Sequence, residues 1–390
     1  MSDIAPEMWA KVPPGSAIAA PPPPAPTYGQ EVRRRLWANK PAMVSIVFIV
    51  ALVLAAFFGP IFSPHTYYKQ DLKLANIPPA FETYLVADSA GETTRFFLNT
   101  SNFNLYEVDG EGHVLGILRG GRKDMLKKNQ PFEFGDKTIT LDYSVLPARL
   151  IAEDGSQMRP SGWSWNRTYL FGTDQLGRDI LVRQLYGAQI SLTVAFVATL
   201  VNFFIGVFYG GIAGYAGGRV DAVMMRIVEI ISTIPLTLYV VLLMVVFDSG
   251  LLSIIVAIGS VFWVDMARIV RGQILSLKSQ DYVAAARTMG ASPTRILTRH
   301  LLPNSIGPII VTLTMLIPSA IFIESFMSFI GLGVTPPLAS WGSLTSEAVE
   351  TLRTYPHQLF FPAAAISLTM FAFNFLGDGL RDALDPRLRG

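Results

Sequence analysis

The chain has no cysteine, so disulfides, thiolate zinc sites and iron–sulfur clusters are excluded, and cysteine usage does not reveal a redox compartment. Histidine is scarce too: His65, His113, His300 and His357 lie far apart, with no paired metal-ligand spacing. No GxxxxGK[ST] phosphate loop and no GxSxG elbow occurs, which argues against ATP hydrolysis by this chain and against serine-hydrolase chemistry. No catalytic residue and no metal site is expected. Charge is the other deficit. Only 15% of the 390 residues are charged, and a net charge of +2 gives no reason to invoke nucleic acid.

Apolar length is what the chain has instead. It is 51% hydrophobic with a mean hydropathy of +0.40, too apolar for one soluble domain of this size. Six segments, 42–63, 190–213, 230–247, 251–270, 304–332 and 360–380, are long enough, or nearly so, to span about 30 Å of hydrocarbon. The first is a permanent anchor rather than a cleaved signal, because Ala42 to Phe62 is apolar throughout and further spans follow. Asp248, Ser249 and Gly250 alone separate the third and fourth, which predicts a tight helical hairpin. Basic residues flank the spans unevenly: Arg33, Arg34, Arg35 and Lys40 before the first, Arg219 and Arg226 after the second, and six between Arg268 and Arg299. By the positive-inside rule these are cytoplasmic, and six crossings bring Arg381, Arg387 and Arg389 back to the same side. Both termini are therefore expected in the cytoplasm.

Residues 64–170 change character. Strand-like runs at Phe81–Val86, Arg95–Asn99, Asn104–Val108, His113–Arg119 and Thr138–Tyr143 alternate with turn signals such as Asp109-Gly110 and Gly120-Gly121, predicting a small β-rich domain outside the membrane. Residues 1–30, with Pro13-Pro14 and Pro21 to Pro24, favour polyproline II or disorder. From Glu31 to Asn39, apolar Val32, Leu36 and Trp37 alternate with arginines at helical spacing, which suits a short helix on the inner membrane surface. The expected divisions are thus a tail at 1–30, an interfacial helix and first span at 31–63, a β-rich insert at 64–170, and a five-helix core at 171–390.

A polar island interrupts the apolar core from Asp281 to Pro303. Asp281 can cap a short helix, Gly290 suits the left-handed residue that ends it, Ser292 with Pro293 starts a second helix, and Pro303 marks a boundary. Ala284, Ala285 and Ala286 give the first helix a face with almost no bulk, which another protein could approach closely. This stretch resembles the EAA loop of ABC-importer permeases, with Ala285, Ala286, Gly290, Ile296, Leu302 and Pro303 in the family's places. Ala284 stands where the family usually has glutamate, so docking would rest on shape, with Arg287 and Asp281 as the remaining charges.

Three further strings resemble the second permease subunit of peptide, dipeptide and nickel importers. They are Gly172-Thr173-Asp174-Gln-Leu-Gly177-Arg178-Asp179, then Glu324 to Gly333 with Trp341-Gly342, and Asn374 to Arg387. On the residues alone, Asp174, Arg178, Asp179 and Arg183 can neutralise one another in a folded turn. The resemblance implies an all-α polytopic protein with six transmembrane helices, the type I ABC importer permease fold, here with an enlarged β-rich insert. It also implies a prokaryotic inner membrane, a homologous permease as partner, two cytoplasmic ATPase subunits that use ATP and Mg²⁺, an extracytoplasmic binding protein, and no cofactor on this chain itself. The solute is expected to be a peptide, oligopeptide first.

Within the spans, Asn202 and Asn374 can bond across helices, and Glu324 can line the path or tie helices together. Glu229, Asp265 and Arg268 read as helix-end charges, and Gly206, Gly210, Gly211, Gly214, Gly217 and Gly218 allow close helix approach or bending. Two other classes stay open at this point. One is an ion-driven secondary transporter using Glu229, Asp265 or Glu324, and the other is a membrane-anchored assembly or receptor protein displaying the β-rich region.

Overall fold

The computed structural model describes residues 27–385 apart from positions 90, 101, 146, 248 and 249. The proline-rich tail and the Asp248-Ser249 turn thus lie outside the described residues. The chain opens with α1 (Tyr28–Ala38), where Thr27 and Gln30 form a capping box and Glu31 pairs with Arg35 at 2.7 Å. Trp37 is exposed and α1 buries no residue, as a helix lying on a surface does. Asn39 caps α2 (Lys40–Phe62), accepting from the Ala42 amide at 3.1 Å. Of its 23 residues only Ala42, Ser45 and Ala56 are buried, so most of its apolar surface is left to lipid.

Eight strands follow: β1 (Ala80–Ala87), β2 (Thr93–Asn99), β3 (Asn104–Val108), β4 (Val114–Ile117), β5 (Asn129–Phe134), β6 (Lys137–Asp142), β7 (Arg149–Ile151) and β8 (Gly162–Trp165). They make a five-stranded antiparallel sheet in the order β4-β3-β2-β1-β8 and a three-stranded sheet β5-β6-β7. Phe96, Leu105, Phe132, Phe134, Ile139 and Leu141 from both sheets share one core. Five strands lie where alternation places them, but β5, β7 and β8 go unread. Pro131 lies inside β5, which is tolerable because β5 is an edge strand. β7 and β8 have three and four residues, too short to show a period.

Asp179 caps α3 (Ile180–Ala216), whose 37 residues make a rod of about 55 Å. The chain continues through α4 (Gly218–Thr233), α5 (Leu236–Phe247), α6 (Leu251–Val261), α7 (Trp263–Lys278), α8 (Asp281–Thr288), α9 (Pro293–Ile296), a π-helical stretch at Leu297–Leu301, α10 (Leu302–Asn304), α11 (Ile306–Phe329), α12 (Trp341–Val349) and α13 (Pro356–Leu384). Among the described residues, five helical runs are long and apolar enough to cross a membrane, with α6 and α7 counted as one, or six if a bent pair in α4 and α5 is one span. The span expected at 230–247 is not one continuous helix: the chain turns by 88° between α4 and α5. Pro235 sits at the bend, lacking an amide proton and holding Ile234 in an extended conformation (ψ 121°).

α3 and α7 approach closely enough for their backbones to meet. A Cβ on Gly206 would lie 2.5 Å from Met266 Cβ, one on Gly210 2.3 Å from the Ala267 carbonyl oxygen, and one on Gly214 2.9 Å from that of Arg271. Only glycine at this spacing lets the two backbones meet.

Candidate coupling loop and the opposite end of the bundle

At the C-terminal end of α3, α8 and α9 pack onto the helices through Val283, Ala286, Ile296 and Leu301, which join Val207, Met266, Val270, Ile274 and Ile309 in one apolar cluster. The opposite face of α8 is bare: Asp281, Tyr282, Ala284, Ala285, Arg287 and Met289 are exposed, Met289 to 82%. The alanine run thus splits, with Ala286 rooted in the cluster and Ala284 and Ala285 turned outward. Tyr282 and Met289 enlarge that face. Sequence reasoning passed over both, though each flanks the small residues at helical spacing. Gly290 closes the helix at φ +80°, a conformation that a side chain would strain.

Two expectations for this loop need correction. Gln280, not Asp281, is the N-cap, and Asp281 is the first helical residue, where its charge favours the helix N-terminus without a capping bond. Pro303 is no boundary, because the chain stays helical from α9 through α10. The π-helical widening just before Pro303 accommodates the missing amide proton. Arg287 lies over the Tyr215 ring at 5.8 Å, and Lys278 lies over the same ring and donates to the Tyr215 carbonyl. Nearby, Arg271 grips Asp221 of α4 through two hydrogen bonds of 2.5 and 2.6 Å. The loop is therefore fastened to α3, α7 and α11, and α7 in turn holds α4.

At the other end of α3 the Gly172–Asp179 motif is a seat for residues 71–78. The Asp71 amide donates to the Leu176 carbonyl at 3.0 Å, the Asn76 amide to Asp174 at 2.9 Å, and the Thr173 amide to Ile77 at 2.9 Å. Gly177 (φ +72°) faces the Asp71 carbonyl so closely that a Cβ would lie 1.9 Å from its oxygen. Gly172 meets the Ile77 carbonyl in the same way.

The charges here are partly rearranged from the expected foursome. Asp174 takes Arg178 Nε at 2.7 Å and Arg183 Nη1 at 2.6 Å, while its other oxygen accepts the Leu176 and Arg178 amides. Asp179 stands apart: it caps α3 and faces His65 Nδ1 at 2.7 Å. Burial raises the Asp179 carboxyl, and the His65 hydrogen bond works against that rise. The fourth member of the cluster is Glu347 of α12, which accepts from Arg178 Nη2 at 2.8 Å and from Arg183 Nη1 and Nη2 at 2.6 and 2.9 Å. Burial alone would raise the Glu347 carboxyl, but Arg183 and then Arg178 hold it below its ordinary range. A cavity of about 300 Å³ opens beside this cluster, lined by Asp174, Arg178, Arg183, Leu344, Glu347 and Gln358.

Deeper in the bundle Glu324 is fully buried and accepts from Ser191 Oγ at 2.7 Å, Ser328 Oγ at 2.8 Å and Ser325 Oγ at 3.4 Å. It ties helices, as one of its two expected roles required. The asparagines do not: both polar atoms of buried Asn202 lack a hydrogen bond within the chain, and Asn374 is exposed. Asn374 lies on a face of α13 turned away from its neighbours. Glu229 and Asp265 sit three residues from Arg226 and Arg268, their ion-pair partners at 2.8 and 3.4 Å.

Residues 206–390 match the binding-protein-dependent transport system inner membrane component family, and residues 27–79 match the N-terminal TM domain of oligopeptide transport permease C. The dipeptide transport system permease protein DppC of Bacillus subtilis is 39% identical over 94% of this chain and 88% of its own length. The oligopeptide transport system permease protein OppC of the same organism is 52% identical over 57% of this chain and 73% of its own. Among solved structures, an inward-facing MetNI methionine ABC transporter aligns at a TM-score of 0.43 and 18% identity, covering 53% of this chain and 96% of that one. A long relative matched nearly end to end decides the matter: the chain belongs to the binding-protein-dependent transport permeases, in the branch that holds the oligopeptide and dipeptide permeases.

Proposed function

We propose that this chain forms half of the translocation path of a peptide importer, with a homologous permease supplying the other half. Two ATPase subunits that use ATP and Mg²⁺ dock on the exposed face of α8, and an extracytoplasmic binding protein delivers the solute. The six spans follow the type I importer arrangement, with α4 and α5 counted as one broken span. Both termini and α8 lie in the cytoplasm, and the β region lies outside the inner membrane of a prokaryote. The peptide class is carried over from the dipeptide and oligopeptide permeases that this chain resembles.

The observation that carries this reading is the two-sided character of α8. A helix with Ala284, Ala285 and Met289 outward and Val283 and Ala286 locked into α3, α7 and α11 turns a push on its outer face into displacement of those helices. Without the usual carboxylate at Ala284, the contact is made by shape. The exposed carboxylates Glu229 and Asp265 each sit beside their own arginine, which favours helix-end charges over ion carriers. The test is uptake of radiolabelled oligopeptides into proteoliposomes holding this permease, its partner and their ATPases. Uptake that needs ATP and binding protein and survives collapse of ion gradients is the expected result. Uptake driven by a proton or sodium gradient without ATP contradicts it.

A further inference from the structure

The nine-residue helix α12 is fastened to α3 at both ends, by different chemistry at each. At its start the Trp341 amide donates to Ser191 Oγ at 3.2 Å, and that hydroxyl donates onward to Glu324 at 2.7 Å. The Trp341 indole donates to the Gln184 carbonyl at 3.2 Å. Two glycines bring backbones together here: a Cβ on Gly187 would lie 3.2 Å from the Ser340 carbonyl carbon, and one on Gly342 2.4 Å from the Ser325 carbonyl oxygen. The first turn of α12 is therefore wedged between α3 and α11. Glu324 carries no ion pair to a basic side chain among the described residues, so its compensation comes from three hydroxyls and, through Ser191, from the amide-rich start of α12.

One and a half turns later Glu347 is gripped by Arg178 and Arg183, and Arg183 is only 1% exposed. These guanidinium groups sit at the C-terminal end of α12, the end whose carbonyls favour cations. Both arginines are locked by Asp174 from behind. A connecting segment is ordinarily the mobile part of a bundle. Here a helix about 13 Å long is pinned at residues 341 and 347.

We infer that α12 is a fixed rim of the external mouth, carried by α3 as one rigid piece, with Glu324 and Arg183 as the positioning residues that hold it. The mouth then opens by movement of α3 with α12 attached, not by α12 swinging as a lid. This rests on the permease reading for the word mouth; the fastening itself does not.

The absence of native cysteine allows two spin labels to be placed directly, on exposed Thr193 of α3 and exposed Val349 of α12. Distance distributions are measured by pulsed electron resonance on the assembled transporter, nucleotide-free and trapped with vanadate. The expected result is a narrow distribution with the same mean in both states. Glu324→Gln and, at the more accessible end, Glu347→Gln broaden it, and uptake falls by about tenfold while ATP turnover persists. That split separates a positioning role from general unfolding, which would remove both. A mean that shifts between the two states, or variants that leave the distribution narrow, overturns the inference. Loss of ATP turnover in the unsubstituted complex would count against the permease reading alone, because the widths are read in nucleotide-free protein.

Discussion

Two short helices outside the spans, α8 and α12, are held by opposite means. α8 rests on an apolar cluster and shows a bare face of alanines and Met289, with its few charges set around the edge. α12 is wedged by Trp341 between α3 and α11, and is pinned besides by a buried carboxylate under its first turn and by two guanidinium groups at its last. The first, with small residues outward and packed residues inward, is the surface we propose receives another protein. The second is complete within the chain. Binding surface and structural rim are therefore distinguished by where the unsatisfied area lies, since α8 leaves apolar surface uncovered and α12 leaves hardly any polar group unpaired.

That contrast can be broken most severely at Arg183. Arg183→Ala leaves Glu347 and Asp174 with Arg178 alone; loss of one member of a buried pair costs about 3–5 kcal/mol, and the remaining Arg178 and the part-exposed Glu347 reduce that here. The expected outcome is a marked fall in melting temperature of the purified protein, read by dye-free scanning fluorimetry on its tryptophans. A smaller loss is expected for Gly206→Val, because the added Cβ would lie 2.5 Å from Met266 Cβ and must push α3 off α7. Overpacking of this kind costs about 1–3 kcal/mol and should lower the yield of monodisperse protein on size-exclusion chromatography.

Ala285→Arg sharpens the comparison from the other side. The residue is exposed, so stability should change by less than about 0.5 kcal/mol, while ATPase co-purification is lost. The least effect is the pH dependence of the α12 fastening. Glu347 is depressed below its ordinary 4.5 in the folded chain, so its contribution is fully present above that value and is lost as pH falls through the lower folded value. Thermal unfolding followed from pH 6 downward should show a drop that is reduced in Glu347→Gln.

Much of this was legible in the sequence, for local reasons. Apolar length marked five of the spans, alternation marked β1, β2, β3, β4 and β6, and the punctuation Gly290-Ala-Ser292-Pro293 marked the break between α8 and α9. What failed to show was non-local. Glu347 lies 164 residues from Arg183, and nothing in Leu344 to Val349 distinguishes it from a surface glutamate until α12 is laid across the start of α3. Glycines and paired charges in one short stretch group Asp174, Arg178, Asp179 and Arg183, and the first, second and fourth do pair, while Asp179 leaves for His65 instead. At Pro235 hydropathy continues while the helix does not, so apolar length alone misses the bend. Asn202 shows the converse, a buried polar residue whose expected partner across helices is not found among the described residues.

The central claim, that α8 is the docking surface for the ATPases, is tested most directly by purifying this chain from its native membrane in mild detergent and identifying what stays bound. The unsubstituted chain should bring down a second permease and two phosphate-loop ATPases, and Ala285→Arg should keep the permease and lose the ATPases. Recovery of the ATPases at equal stoichiometry with Ala285→Arg, or of no ATPase with either, would contradict it.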